Sequence, residues 1–400
     1  VWTLLITLGV LAQGYGAMFA LLGRFREDYG ISETRLGLIV GVGFFTAFVA
    51  QLLIAPQADK GHARLLLLGG VSLNGVGNLV MAFSDTFGGL FVGRVLMGIG
   101  IGAGYPAVRR AVAMAEPDRV GANSGLVLSA DVVGFLAGPV IALIVVGPFG
   151  VSAPFWAGVG LSLAALLMTW RVPMGDVVNG GATQRLAIGL LREPWMQAAA
   201  GYGVAFFLMV GTFDALWAVR LTDLLGEGNA DVYVQLGIII FAAPMVLFAR
   251  AGGAFSEARG PFTVGALGLV NGCVFMALYG VIGVPWVLVA IGMVHATNDA
   301  FSAPSVPIAV THAAPEERLG GAQGLVGALQ TLTGGVASIA GGALYDAWGP
   351  VAAYGTASGA MLVIVALGWN RYLAHRRQQL IPEGGIVARC TATTPTATVT

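Results

Sequence analysis

Asp118-Arg119-Val120-Gly121-Ala122-Asn123-Ser124-Gly125-Leu126 returns later in the chain as Glu317-Arg318-Leu319-Gly320-Gly321-Ala322-Gln323-Gly324-Leu325. The acid, the arginine, two glycines and the final leucine recur with Arg119 and Arg318 standing 199 positions apart. A second anchor, Asp59 and Glu257, recurs 198 positions apart. Two anchors at nearly one offset imply two homologous halves in parallel orientation.

Outward from these anchors the chain is a series of apolar windows about 20 residues long, the length a membrane helix needs. They fall at 1–23, 36–56, 65–84, 87–108, 120–146 and 151–172, then at 196–220, 233–250, 261–281, 285–310, 321–345 and 350–372. Each repeat anchor stands at the same place in its block of six. The apolar runs are continuous, not alternating every second residue, so helices are expected and a barrel is not. The fold class read here is an all-α membrane protein with twelve transmembrane helices in two pseudo-symmetric six-helix bundles. The halves are placed at 1–172 and 196–372, with a cytoplasmic linker at 173–195 and a disordered cytoplasmic tail at 373–400. Within the linker, Gln184 to Trp195 is mildly amphipathic and suits the inner membrane surface. The chain begins at Val1 inside the first span and reads as trimmed, so 1–23 is not taken as a cleaved signal peptide.

Composition agrees. Of 400 residues, 57% are hydrophobic and 10% charged, against roughly a quarter charged in an ordinary soluble chain. So few charges cannot coat a globule of this size, and the solvent for most of its surface must be lipid. A soluble enzyme is excluded. The balance of 20 basic and 20 acidic residues argues against a nucleic-acid partner. Two cysteines and four scattered histidines make no disulfide framework or metal cluster, and no phosphate-binding GxxxxGK(S/T) loop occurs. No metal or cofactor is expected. With the N-terminus and even-numbered loops inside, 15 of the 20 Lys and Arg residues fall on that side. The termini are therefore assigned to the cytoplasm and the chain to the inner (plasma) membrane.

Four local patterns carry a family likeness. Ala55-Pro56-Gln57-Ala58-Asp59-Lys60-Gly61-His62-Ala63-Arg64 follows the second span, and Gly253-Ala254-Phe255-Ser256-Glu257-Ala258-Arg259-Gly260 follows the eighth. The fourth span holds Arg94, Gly98 and Gly102, and the fifth holds Gly125, Gly134, Gly138 and Pro139. Gly342, Asp346 and Gly349 close the eleventh. These resemble, in turn, the GxxxD(R/K)xG loop, the RxxxG motif, the GxxxxxxxxGxxxGP motif and the span-eleven ending of the major facilitator superfamily, in particular its drug:proton antiporter branch. The first loop departs from the pattern at Ala55 and His62. The resemblance covers essentially 1–372 and implies two bundles rocking around a midplane site. It also implies that Asp59 latches onto the start of span eleven, beside Lys60 and Arg64, with an ordinary loop ion pair as the alternative. Spans one, four, seven and ten would line the central path, which makes Gln13, Tyr15, Arg94, Tyr105, Phe206, Phe213 and Asn298 candidates for the substrate cavity.

Intramembrane charge carries the chemistry. An unpaired charge at the bilayer centre costs roughly 2.5–3.5 kcal/mol even on the lenient insertion scale, so Arg94, Asp131, Asp214 and Asp299 must face the interior, pair or be neutralised. At about 1.5 Å per residue, Asp131 and Asp299 lie near mid-membrane, and Arg94 and Asp214 nearer the outer face. A carboxylate held from water is pushed towards neutrality, which a proton carrier requires. The counterpart of Asp131 in the second half is Gln330, so the shared fold does not demand the acid. A static pairing with Arg94 or a polar helix contact is the alternative for Asp131. His295 and Asp299, four apart, share one face of span ten and could pass a proton. The expected function is proton-coupled export of a small organic or amphipathic compound by a carrier acting as a monomer. The rivals are proton symport or facilitated uptake of a nutrient, and a membrane receptor without transport.

Overall fold

The computed structural model describes residues 1–31, 33–172 and 187–380. Thirteen α-helices, α1 to α13 in chain order, form the structure, and no strand occurs among the described residues. The N-terminal half comprises α1 (Trp2–Ala20), α2 (Leu22–Tyr29), α3 (Glu33–Leu53), α4 (Ala63–Ala82), α5 (Phe87–Ala115), α6 (Val120–Phe149) and α7 (Ala153–Thr169). The C-terminal half comprises α8 (Pro194–Leu225), α9 (Glu227–Arg259), α10 (Pro261–Val281), α11 (Pro285–Ser302), α12 (Ser305–Ala313) and α13 (Leu319–Leu380).

Twelve crossings follow from thirteen helices for local reasons. The short α2 extends the first crossing, and α11 and α12 make one crossing divided at Ala303-Pro304. Within α13, Gly349 adopts φ 78° and ψ −177°, a conformation open to glycine alone, and Pro350 cannot continue a helix across it. The chain turns back there, so α13 supplies the eleventh and twelfth crossings. Helix persists to Leu380, past the expected end of the last span at 372. The expected linker stretch 173–186 and the tail from 381 lie outside the described residues.

Leu143 is 85% and Leu167 82% exposed, which only a lipid surround makes favourable. Inside, each half holds two apolar cores. Leu8, Leu11, Leu67 and Val108 build one in the first half, and Met18, Phe25, Ile39 and Phe155 the other. In the second half the cores form around Tyr202, Val310 and Val326 and around Met209, Tyr279 and Tyr354.

Pairing between helices repeats across the halves. Helix α1 packs on α6 as α8 packs on α13, and the halves meet through α6 on α9 and α3 on α13. These contacts need small residues. A Cβ on Gly134 would lie 2.2 Å from the carbonyl oxygen of Gly9, and one on Gly98 would lie 2.5 Å from that of Gly43. Backbones meeting this closely are what glycine permits in lipid, where no hydrophobic force drives helices together. The fifth-span motif therefore divides its labour. Gly134 and Gly138 join α6 to α1 within one half, whereas Gly125 abuts Ala249 and Arg250 of α9 across the halves. Pro139 interrupts no helix, since α6 runs continuously through it.

Candidate functional site

The two anchors of the repeat meet each other's halves. Asp59, 8% exposed, accepts hydrogen bonds from the backbone N–H groups of Gly320 and Gly321, each 2.7 Å long, at the first turn of α13. Arg110 donates its Nε–H to the same carboxylate at 3.1 Å. On the other side of the pseudo-twofold, Glu257 accepts from the N–H of Gly121 at 2.8 Å, at the first turn of α6, and lies 3.2 Å from His312. A carboxylate at a helix start satisfies orphan N–H groups and the positive end of the dipole. Each half thus carries one carboxylate that closes on a helix start of the other.

A cation outside the loop motif completes the first latch. Lys60 makes no bond to Asp59 among those described, and Arg64 is exposed with its guanidinium 5.7 Å from the Trp170 ring. Hydropathy ends the fourth span at 108, whereas helix α5 runs to Ala115 and buries Arg110, which is 2% exposed. The run Ala111-Val112-Ala113-Met114-Ala115, helix-forming up to Pro117, was the missed signal. Further bonds hold the same end shut. Gln51 donates to Thr331 at 3.4 Å, and the Ser129 hydroxyl reaches the carbonyls of Met245 and Val246 at 3.3 and 3.2 Å. Arg259 is exposed, 5.4 Å from the ring of Phe255, and Asp346 is exposed at the far end of its crossing.

Deeper in the membrane the N-terminal half gathers a polar cluster. Tyr105 of α5 donates a short hydrogen bond to Asp131 of α6, and Arg109, one turn beyond Tyr105, is the basic group acting on that carboxylate. Tyr15 of α1 lies over Arg94, the guanidinium carbon 4.3 Å from the ring centre. Arg94, Asp131 and Asp214 all act electrostatically on Tyr15. Asp214 belongs to the other half and is exposed. The alternative of a static pairing between Asp131 and Arg94 finds no ion pair among the described residues, and Asp131 is held instead by Tyr105. Arg109, like Arg110, lies beyond the apolar window that ends at 108 and is part of the cluster.

His295 and Asp299 do pair, with Nε2 3.4 Å from the carboxylate, but inside the C-terminal half. Both are 1% exposed. The Tyr279 hydroxyl, 3.0 Å from Nδ1, donates there when Nε2 carries the proton towards Asp299. Phe213, Phe241 and Phe275 surround the ring. Phe213 therefore belongs to a packed core and not to a cavity wall. Asn298 ties α11 to α10 through the Gly268 carbonyl at 3.1 Å. Phe206 is half-buried beside Phe207, and Gln13, 1% exposed, has neither side-chain polar atom hydrogen-bonded. No cluster of three potential metal ligands occurs among the described residues.

The family model of the Major Facilitator Superfamily matches residues 3–298. The chain belongs to the major facilitator superfamily. Curated relatives include the inner membrane transport protein YajR of Escherichia coli (strain K12), 26% identical over 59% of this chain and 57% of the relative. Another is the quinolone resistance protein NorA of Staphylococcus aureus (strain MSSA476), 24% identical over 59% of this chain and 62% of the relative. The chain thus spans about three fifths of the length of these relatives. Among solved structures, the human organic anion transporter MFSD10 (TETRAN) superposes with a TM-score of 0.73 at 17% identity, covering 92% of this chain and 98% of that one. FucP in its outward conformation gives a TM-score of 0.73 at 16% identity, covering 92% and 97%. At such identities these two likenesses bear on the fold alone.

Proposed function

We propose that this transporter is a proton-coupled exporter of a small organic, amphipathic compound, working by alternating access as a monomer in the inner membrane with both termini in the cytoplasm. The halves are taken as 1–172 and 196–372. The end closed by Asp59 and Glu257 is the cytoplasmic one, by its excess of Lys and Arg. The structure then corresponds to a carrier shut towards the cytoplasm. Opening inward requires both carboxylates to leave their helix starts.

One observation carries the coupling: Asp131, a carboxylate within a membrane-spanning helix, is hydrogen-bonded to a neutral hydroxyl, and no ion pair to it occurs among the described residues. A group so placed changes charge as the gap changes sides, and binding of protons and substrate then alternates. Asp299 and His295, closed from the gap in this conformation, are proposed as a supporting pair that holds α11 in position. The family branch suggested by the fifth-span motif, and the drug-resistance name carried by NorA, support the direction of transport.

The test is proton flux in sealed proteoliposomes under imposed pH gradients of either sense. Counter-movement of protons and substrate, lost in Asp131→Asn, supports the reading. Substrate accelerated only by protons moving with it would establish symport instead.

A further inference from the structure

Arg94 is a buried cation without an anion. It is 2% exposed, and neither its Nε nor its Nη1 has a hydrogen-bond partner. No carboxylate forms an ion pair with it among the described residues. Asp131 is bonded instead to Tyr105, eleven residues further along α5, and Asp214 of the other half is exposed. A guanidinium has five donors and keeps its charge in proteins, so leaving it unpaired away from water is costly unless something else supplies the counter-charge.

The surroundings are shaped to hold that guanidinium. Gly43 of α3 gives it room, since a Cβ there would lie 2.1 Å from Nε. On the other side the Tyr15 ring covers it, and rings of Phe19, Phe44 and Phe135 stand 4.7, 5.5 and 5.6 Å from that of Tyr15. A buried guanidinium covered by Tyr15, whose ring packs on those of Phe19, Phe44 and Phe135, matches a ligand with an anionic head and a flat apolar body.

We infer that Arg94 and Tyr15 form a subsite for the carboxylate or sulfonate group of an aromatic organic anion, with Gly43 as the cradle that positions the guanidinium. This deepens the transport reading and rests on it, by naming a substrate class. The two fail separately, because the subsite is tested by equilibrium binding without any gradient.

Purified full-length protein in detergent is titrated calorimetrically with 2-naphthoate, naphthalene-2-sulfonate and the neutral 2-naphthamide. The expected result is that both anions bind at least about tenfold more tightly than the amide, as a charge-assisted pair should give. Arg94→Gln should weaken the anions by about 10- to 100-fold and leave the amide unchanged, and Gly43→Ala should do the same by displacing the guanidinium. Because Arg94→Gln removes an unpaired buried charge, its melting temperature without ligand should equal or exceed the original, and 2-naphthoate should raise only that of the original protein. Equal binding of the three probes, or of the anions to Arg94→Gln, overturns the inference. So does a matching loss of thermal stability in Arg94→Gln and Asp214→Asn, which would mark an ion pair between them. If Arg94→Gln does not fold, the anion preference of the original protein and its weakening in Arg94→Lys decide the matter.

Discussion

The two mid-membrane acids sit in different surroundings. Asp131 is held by the Tyr105 hydroxyl, whereas Asp299 is enclosed with His295 behind aromatic rings. Their substitutions should therefore differ in kind. Asp131→Asn keeps size and shape but removes the exchangeable charge, so gradient-driven transport in proteoliposomes should fall by at least about tenfold while substrate binding persists. Asp299→Ala instead removes the buried acceptor facing His295. It should lower stability by about 1–3 kcal/mol, read as a drop in melting temperature, and leave a reduced but gradient-dependent transport. Transport without gradient dependence in Asp299→Ala, or normal pumping by Asp131→Asn, would reverse these assignments. The sequence marks both acids as anomalous because charge is rare in lipid. It does not show which faces the gap, since that depends on how α6 and α11 are rotated by their neighbours. For α6 the rotation is set by α1, through glycines.

Helix α6 shows how element-scale packing serves the mechanism. Its glycines at 134 and 138 lock it to α1, and those at 121 and 125 lie against α9 of the other half. The first pair should tolerate nothing larger. Gly134→Val would drive a side chain into the Gly9 backbone and cost about 1–3 kcal/mol or more, visible as lost thermal stability and poor recovery of folded protein. At the moving contact the outcome should differ. Asp59→Asn retains the shape but loses the charge that holds two N–H groups and Arg110. At about 1.5–3 kcal/mol for a hydrogen bond to a charged group, the equilibrium should shift by about tenfold or more towards the inward-open form. Labels on α3 and α13 at the basic end, measured by spin-pair distances, should show a longer population rising in that variant and an unchanged distribution in Lys60→Gln. The loop motif points to Asp59 and does not reveal Arg110. Hydropathy stops a span at the first charged residue, whereas the helix continues until Pro117, carrying Arg109 and Arg110 inward with it.

At the scale of the whole molecule the repeat was the most legible feature. The offsets that pair Gly121 with Gly320 and Asp59 with Glu257 in sequence relate two positions that do not touch. Each acid closes instead on the glycine of the opposite half. Spans, their number and the presence of two halves follow from apolar length and repetition alone. Contacts between halves do not, because the same small residues serve seams within a half and seams that must part. Arg94 is visible in the sequence as a charge in lipid, but its lack of a hydrogen-bond partner at Nε and Nη1 is evident only in the packed structure.

The central claim is that the halves part at the end closed by Asp59 and Glu257 in every transport cycle. It is tested most directly by tying that end shut. A Cβ at position 320 would lie 3.0 Å from that of Ala58, near the roughly 3.5–4.5 Å of a disulfide. In a background with Cys273 and Cys390 replaced by Ser, the pair Ala58→Cys and Gly320→Cys is oxidised and transport measured in proteoliposomes. Transport abolished on oxidation and restored by dithiothreitol is the predicted result. Transport at an undiminished rate in fully cross-linked protein would contradict it.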